Sequence, residues 1–168
     1  MATRDAVQYR AATSADVPAM ARCRIADPDA GPPDPRVAAY LDGRHHPQQA
    51  LAPRVGYVAL VDGVVVGYIA GHRTRRLGTD GEVQYLYVAP PHRRRGVGTG
   101  LLRSLAEWFR AQGVAKVCVN VNPDSPPAAP FYLSRGATPL DAHWYVWPSL
   151  DALLAAPAPS AHRPTGAP

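Results

Sequence analysis

The chain has 168 residues, 46% of them hydrophobic and 18% charged, with a formal net charge of +5. That length and apolar content suit one compact domain with a sizeable core. No apolar run is long enough to span a bilayer and no signal-peptide core opens the chain, so a cytoplasmic protein without a membrane partner is expected.

In chain order, Asp27 to Pro35 holds four prolines and three aspartates and reads as a loop leading to a short helix around Arg36 to Leu41. His45 and His46 follow. Adjacent histidines point apart on any regular element and no third ligand is placed near them, so no metal is expected. Val55 to Val61 and Val64 to Ala70 flank Asp62-Gly63, a two-residue hairpin signal. Arg73, Arg75 and Arg76 then form a basic cluster.

Tyr85 to Val88 reads as a buried strand that Pro90 and Pro91 stop. Leu101, Leu102, Leu105, Trp108 and Phe109 recur at helical spacing after them. Between strand and helix lies His92-Arg-Arg-Arg-Gly-Val-Gly-Thr-Gly100. Glycines where a helix begins let the main chain approach a ligand, and free N–H groups with the helix dipole favour anionic oxygens. A phosphate-bearing ligand is therefore expected at this loop, with Arg93, Arg94 and Arg95 as mobile positive charge. The loop is not a P-loop, since Gly100 is followed by Leu101 and Leu102 rather than Lys and Ser or Thr. Nor is it a dinucleotide fingerprint, because Gly96, Gly98 and Gly100 miss the spacing of the third glycine.

Lys116 to Val121 alternates Val and Cys as a further strand, in which Cys118 is most simply a small core side chain. Trp144 to Trp147 is the last strand. Ala155 to Pro168 is rich in Pro, Ala and Ser and lacks periodicity, so residues 1–154 are expected to form a single domain and 155–168 a flexible tail. The basic charge alone would suit nucleic acid, but no helix-turn-helix, zinc-finger or RNA-recognition signature accompanies it, so no nucleic-acid partner is expected.

The run Arg93-Arg94-Arg95-Gly96-Val97-Gly98 resembles the Gln/Arg-x-x-Gly-x-Gly/Ala loop of the GCN5-related N-acetyltransferases. Its surroundings resemble that family in order. Tyr9 to Asp16 is similar to the first strand turning into the first helix, with Thr13 or Ser14 as N-cap. Ala128-Ala129-Pro130-Phe131-Tyr132-Leu133-Ser134-Arg135-Gly136-Ala137 is similar to the Ala-x-x-Phe-Tyr-x-x-x-Gly-Phe segment. The likeness runs over about residues 7 to 151.

The resemblance implies an α/β (α+β) fold, a central mixed and mostly antiparallel sheet with helices on both faces. It also implies an enzyme that moves an acetyl group from acetyl-CoA to an amine. By that likeness the main chain of Leu86, Tyr87 and Val88 holds the pantetheine arm, with the Leu86 N–H on the acetyl oxygen. The loop of Arg93, Arg94, Arg95, Gly96, Val97, Gly98 and Thr99 takes the pyrophosphate. Tyr132 matches the tyrosine that faces the thioester sulfur, or it packs a helix onto the sheet. Glu82, fourteen positions before Gly96, matches a general-base glutamate, or it is a strand-edge carboxylate. Ser125 stands where similar sequences carry a cofactor-contacting Asn, and Asn120 and Asn122 lie close enough to replace part of that contact.

The acceptor is a small-molecule or peptide amine that the residues do not specify. Many relatives pair through sheet edges or C-terminal strands, which admits a homodimer. A sensor that binds acyl-CoA without turnover is the alternative, since the loop reports binding while only Tyr132 and Glu82 report chemistry.

Overall fold

A computed structural model of the chain describes residues 6–25, 27–30, 34–121 and 128–155. One seven-stranded sheet organises them, in the order β1-β2-β3-β4-β5-β7-β6. Its strands are β1 (Gln8–Ala11), β2 (Ala50–Val61), β3 (Val64–Thr74), β4 (Gly81–Val88), β5 (Val117–Asn120), β6 (Thr138–Asp141) and β7 (Trp144–Trp147). Every neighbouring pair is antiparallel except β4 with β5, which is parallel. The helices are α1 (Val17–Ile25), α2 (Val37–Leu41), α3 (Val97–Ala111), α4 (Ala128–Ser134) and α5 (Leu150–Ala155). This is the α/β architecture that the loop and its flanks implied.

The β2–β3 hairpin closes on Asp62 and Gly63 with φ of 49° and 77°. Both residues therefore adopt the positive-φ turn that matches strand twist and favours Asp-Gly. Both strands extend beyond the apolar runs that announce them, β2 starting at Ala50 and β3 running on to Thr74, and their pairing shifts register between Leu51 and Arg54 and between Ala59 and Leu60. Each shift breaks the period-two alternation that a strand shows in sequence. Thr13 precedes the turn into α1, and its N–H donates to Asp16 Oδ2 at 2.9 Å while Arg10 pairs with the same carboxylate at 2.8 Å.

Two apolar layers sandwich the sheet. On one face Met20 and Val37 pack with Val58, Tyr68 and Tyr87. On the other, α3 buries Leu101, Leu102, Leu105, Ala106 and Phe109 against β2, β3 and β4, joined by Trp147, Leu150 and Leu153. α3 lies close because the sheet beneath it is smooth. A Cβ on Gly71 would stand 2.8 Å from the Glu82 carbonyl oxygen and 3.0 Å from Leu105, and one on Gly81 would meet Phe109 at 2.8 Å.

Two elements depart from the sequence reading. β6 is exposed along its length and includes Pro139, so no apolar alternation marks it, and it pairs only with β7 at the sheet's edge. α5 begins at Leu150 and buries Leu150 and Leu153, so the first residue of the expected tail, Ala155, ends a helix. The rest of that tail lies outside the described residues. Cys118 is a core residue as expected. It is fully buried, and Thr79 Oγ1 donates to its sulfur at 3.2 Å; burial pushes the thiol up to about 11.

The tight α3 contact makes a prediction. Gly71→Ala should lower stability by about 1–3 kcal/mol, the usual cost of overpacking, because backbone rather than a mobile side-chain end stands in the way. Urea denaturation checks it, and an unchanged midpoint would mean that β4 and α3 do not close on Gly71 this tightly.

Candidate active site

The site begins with a mismatch between β4 and its neighbours. β4 pairs with β3 along its whole length, yet between Ala70↔Tyr85 and Gly71↔Val83 the register shifts, leaving Gln84 as an extra residue in β4. A bulge of this kind bends the strand and switches which face the following side chains take. Accordingly Val83 joins the core under α3, Tyr85 and Tyr87 turn to the α1 side, and Leu86 and Val88 return to the α3 side. Pairing of β4 with β5 covers only Gly81↔Val117, Glu82↔Cys118 and Val83↔Val119. Beyond Val83 the parallel strands diverge.

A cavity of about 210 Å³ occupies the opening, with Leu86, Val119, Asn120, Ala128, Tyr132 and Arg24 among its walls. The β4 edge from Tyr85 onward thus presents main-chain groups to a cleft, where an extended arm carrying amides can pair as a strand would.

The C-terminal end of that edge leads to the anion-suited loop. Gly96 takes φ of 85° and caps α3, a left-handed conformation that glycine enters without a steric penalty. The first helical bond of this turn runs from Gly100 N–H to Gly96 O at 2.9 Å. The N–H groups of Val97, Gly98 and Thr99 have no helical acceptor, as in any first turn, and no acidic side chain lies in that turn. Arg94 and Arg95 are exposed beside it. These donors and charges fit the pyrophosphate of CoA.

Arg93 does not belong with the mobile charges. Its Nε donates to the Val88 carbonyl at 2.8 Å and its Nη2 to Asp27 at 2.7 Å, and its guanidinium lies 5.6 Å from the Tyr87 ring. Asp27 also accepts from the Tyr87 hydroxyl at 2.9 Å. Arg93 is therefore a strut between the loop, β4 and the end of α1. Gly100 likewise has another reason: a Cβ there would lie 2.1 Å from the Tyr9 hydroxyl, so it makes room for a ring of β1.

The second basic cluster, Arg73 to Arg76, stands apart from the loop. Arg73 pairs with Gly81 while Gly67 pairs with Val88, which puts Arg73 to Arg76 at the opposite end of β4 from the loop, roughly 20 Å away at strand rise. Arg76 is used locally. It pairs with Glu82 at 3.2 Å, donates to the Gln48 carbonyl at 2.6 Å, and lies 4.7 Å over the Trp144 ring.

Tyr132 is buried in α4, edge-on to Phe131 at 5.4 Å and to Trp147 at 5.7 Å, and it lines the cavity. Its hydroxyl has no hydrogen-bond partner among the described residues. Burial drives its pKa well above the ordinary phenol value, which keeps the proton on the oxygen. Tyr132 thus packs α4 onto the sheet and at the same time lines the cavity.

Glu82 is 4% exposed and is no edge carboxylate. Its Oε2 accepts from Thr74 Oγ1 and Arg76 Nε, both at 3.2 Å, and lies 3.4 Å from His72 Nε2. That last approach is misaligned and leaves Nε2 without a hydrogen bond. His72 Nδ1 meets the Tyr40 hydroxyl at 2.9 Å. Burial would raise the Glu82 carboxyl, but His72 and then Arg76 outweigh it and hold its pKa below the ordinary value. Glu82 lines neither this cavity nor the neighbouring groove.

That groove, of about 600 Å³, lies between α1, α2 and the sheet, with Asp34, Arg36 and Val37 on its rim. Arg24, Tyr68 and Tyr85 wall both spaces. None of these, nor the Tyr40–His72 pair, stood out in the sequence, because they come from four separate elements and no local pattern joins them. Asn122 and Ser125 lie outside the described residues.

The profile of the Acetyltransferase (GNAT) family matches residues 21–137. The L-2,4-diaminobutyric acid acetyltransferase of Nocardia farcinica is 30% identical over 89 residues, covering 51% of this chain and 46% of that protein, so the match spans about half of the curated relative. Among solved structures, an acetyltransferase of the GNAT family from Desulfovibrio desulfuricans superposes with TM-score 0.69 at 16% identity, covering 86% of this chain and 99% of that one. The PaiA N-acetyltransferase of Thermoplasma acidophilum, solved in complex with coenzyme A, gives 0.60 at 15% identity over 84% and 96%. At such identities the structures speak for the fold. The chain belongs to the acetyltransferase (GNAT) family, whose members use acetyl-CoA, and the cleft and loop fit that molecule.

The Glu82 network yields a pH prediction. A carboxyl whose folded pKa lies below its unfolded value stabilises the fold above the unfolded pKa and loses that contribution as pH falls through the folded one. Parent protein should therefore exceed Glu82→Gln in stability by on the order of 1–3 kcal/mol near neutrality. The gap should shrink as pH drops below about 4.5. Thermal midpoints of the two proteins across pH check this; a pH-independent gap would contradict it.

Proposed function

We propose that residues 1–154 form a single catalytic domain that transfers an acetyl group from acetyl-CoA to a small-molecule or peptide amine. One observation carries the reading: the free edge of β4 runs from a cavity holding the Tyr132 phenol to an α3 N-terminus that lacks any acidic side chain. A thioester, a pantetheine arm and a pyrophosphate need those three environments in that order.

In this reading the Tyr85–Val88 edge takes the arm. Main-chain groups alternate along a strand, and Ala89 N–H already bonds the Val66 carbonyl on β3, so Tyr87 turns its groups to β3 while Leu86 and Val88 turn theirs to the open edge. The Val88 carbonyl is taken by Arg93, which leaves the Val88 N–H for the arm and the Leu86 N–H for the acetyl oxygen where negative charge develops. Val97, Gly98 and Thr99 offer N–H groups to the pyrophosphate, and Arg94 and Arg95 add charge. The acceptor comes through the groove on the α1–α2 side, past Tyr85 and Tyr68. Its nitrogen forms the new C–N bond as the C–S bond breaks, and Tyr132 gives a proton to the departing sulfur.

We assign Glu82 a positioning role. It is engaged by Thr74, Arg76 and His72 and faces neither space, so the amine's proton leaves to solvent through the open groove. The relative from Nocardia farcinica makes a diamino acid one acceptor to test. β6 is the exposed outer strand, with Leu140 46% exposed, and supports the homodimer in this reading; a cytoplasmic location completes it.

Thiol release from acetyl-CoA, assayed over alkylamines, diamines, amino acids and peptides, tests the function. Turnover with some of these amines is expected, and Tyr132→Phe should lower it roughly ten- to a thousandfold while acetyl-CoA affinity stays within about twofold. Tight acetyl-CoA binding without thiol release from any amine would instead make the chain a binding module. Equal turnover by Tyr132→Phe and parent would leave Tyr132 a packing role only.

A further inference from the structure

Arg24 stands in the last turn of α1, and its side chain walls both the thioester cavity and the acceptor groove. Its Nη1 donates to the Tyr68 hydroxyl at 3.3 Å and its Nη2 to the Ala30 carbonyl, and the guanidinium lies 4.7 Å over the Tyr87 ring. Nε is buried and makes no hydrogen bond. None of these neighbours carries a negative charge.

The acidic side chains of that region are committed elsewhere. Asp27 pairs with Arg93 at 2.7 Å and Asp34 with Arg36 at 3.0 Å. Among the described residues no carboxylate lies within 4.0 Å of Arg24. A guanidinium has five N–H donors in a fixed fork that matches a carboxylate, and here two are used on neutral oxygens. A half-buried cation without a counter-ion is costly, and an anion entering either space would remove that cost. The phosphates of CoA do not reach it in the present reading, since they occupy the α3 N-terminus at the far end of the β4 edge.

We propose that Arg24 binds a carboxylate on the acceptor, so that the preferred acceptor class is an amine that also carries a carboxylate, an amino acid rather than a simple alkylamine. This rests on the acetyltransferase reading of the same cleft. Arg24 is a specificity residue in this account, distinct from the acyl-transfer groups, and its loss should act on the choice between acceptors.

The test uses acceptor pairs that differ only by the carboxylate: L-lysine with 1,5-diaminopentane, and 4-aminobutyrate with propylamine. The parent should show kcat/KM at least about tenfold higher for the carboxylate-bearing member, the scale of one charge-assisted hydrogen-bonded contact. In Arg24→Gln the ratio should fall to near one, chiefly through KM, and in Arg24→Glu it should invert toward the diamine. Calorimetric titration with CoA confirms that each variant is folded. A parent ratio near one, an unchanged ratio in Arg24→Gln, or an equal loss for both members of a pair would overturn the proposal; the last would show that Arg24 serves acyl transfer itself. Should no amine release thiol, the acetyltransferase reading fails, and binding of 4-aminobutyrate to the CoA-loaded protein decides: loss of binding in Arg24→Gln sustains the carboxylate site, and no difference from parent ends it.

Discussion

A strand cannot follow two neighbours that lead in different directions, and β4 resolves that conflict by taking in one extra residue. With Gln84 in the bulge, β4 stays paired to β3 as far as Val88 and leaves β5 after Val83. The cleft, the free main-chain edge, and the facing of Tyr85 and Tyr87 toward α1 all follow from that single insertion. Without it β5 would continue beside β4, the edge groups would be spent on strand pairing, and no cavity would form between Leu86 and Tyr132. The helix that follows β4 then returns its N-terminus to the C-terminal end of the free edge, which is how one segment of chain supplies both the arm's partner and the anion site.

A second set of contacts keeps the two ends in register. Asp27, at the end of α1, receives both the Tyr87 hydroxyl and the Arg93 guanidinium, and Arg93 also holds the Val88 carbonyl. The loop is thereby tied to the strand that precedes it and to the helix that walls the acceptor groove. Tyr87 carries cations near its ring from both α1 and the loop, Arg24 at 4.7 Å and Arg93 at 5.6 Å, yet only Arg93 has a carboxylate to offset it. That asymmetry sets Arg24 apart as a group whose charge is answered from outside the chain.

The features legible in the sequence were those written in consecutive residues. Asp62-Gly63 declared its hairpin, because that pair favours the positive φ the turn needs. The glycines after Val88 declared the turn into a helix, and Gly96 does take the left-handed conformation at its cap. Residues whose role depends on what lies across the sheet were not legible. Nothing in the run from Arg93 to Arg95 separates the arginine bound to Asp27 from the two left exposed, since Asp27 is 66 positions away. Gly98 and Gly100 look alike in the loop, but only the position of Tyr9 explains the second. Glu82 matches a base only through the family likeness, and the residues that enclose it, Thr74, Arg76 and His72, are brought together by the pairing of β3 with β4 and the turn between them. β6 escaped notice for a different reason, being an exposed edge strand with no buried face to impose a pattern.

The central claim is that acetyl-CoA lies along the open edge of β4 from the cavity to the start of α3. Amide hydrogen exchange, measured residue by residue with and without acetyl-CoA, tests it most directly, because the proposed contacts are main-chain N–H groups whose exchange slows when they are bonded. The account predicts new protection concentrated at Leu86 and Val88 and at Val97, Gly98 and Thr99, with Gly81 to Val83 already protected in the free protein by pairing to β3 and β5. Protection that appears elsewhere on the sheet, or binding that leaves both of these segments unchanged, would contradict it.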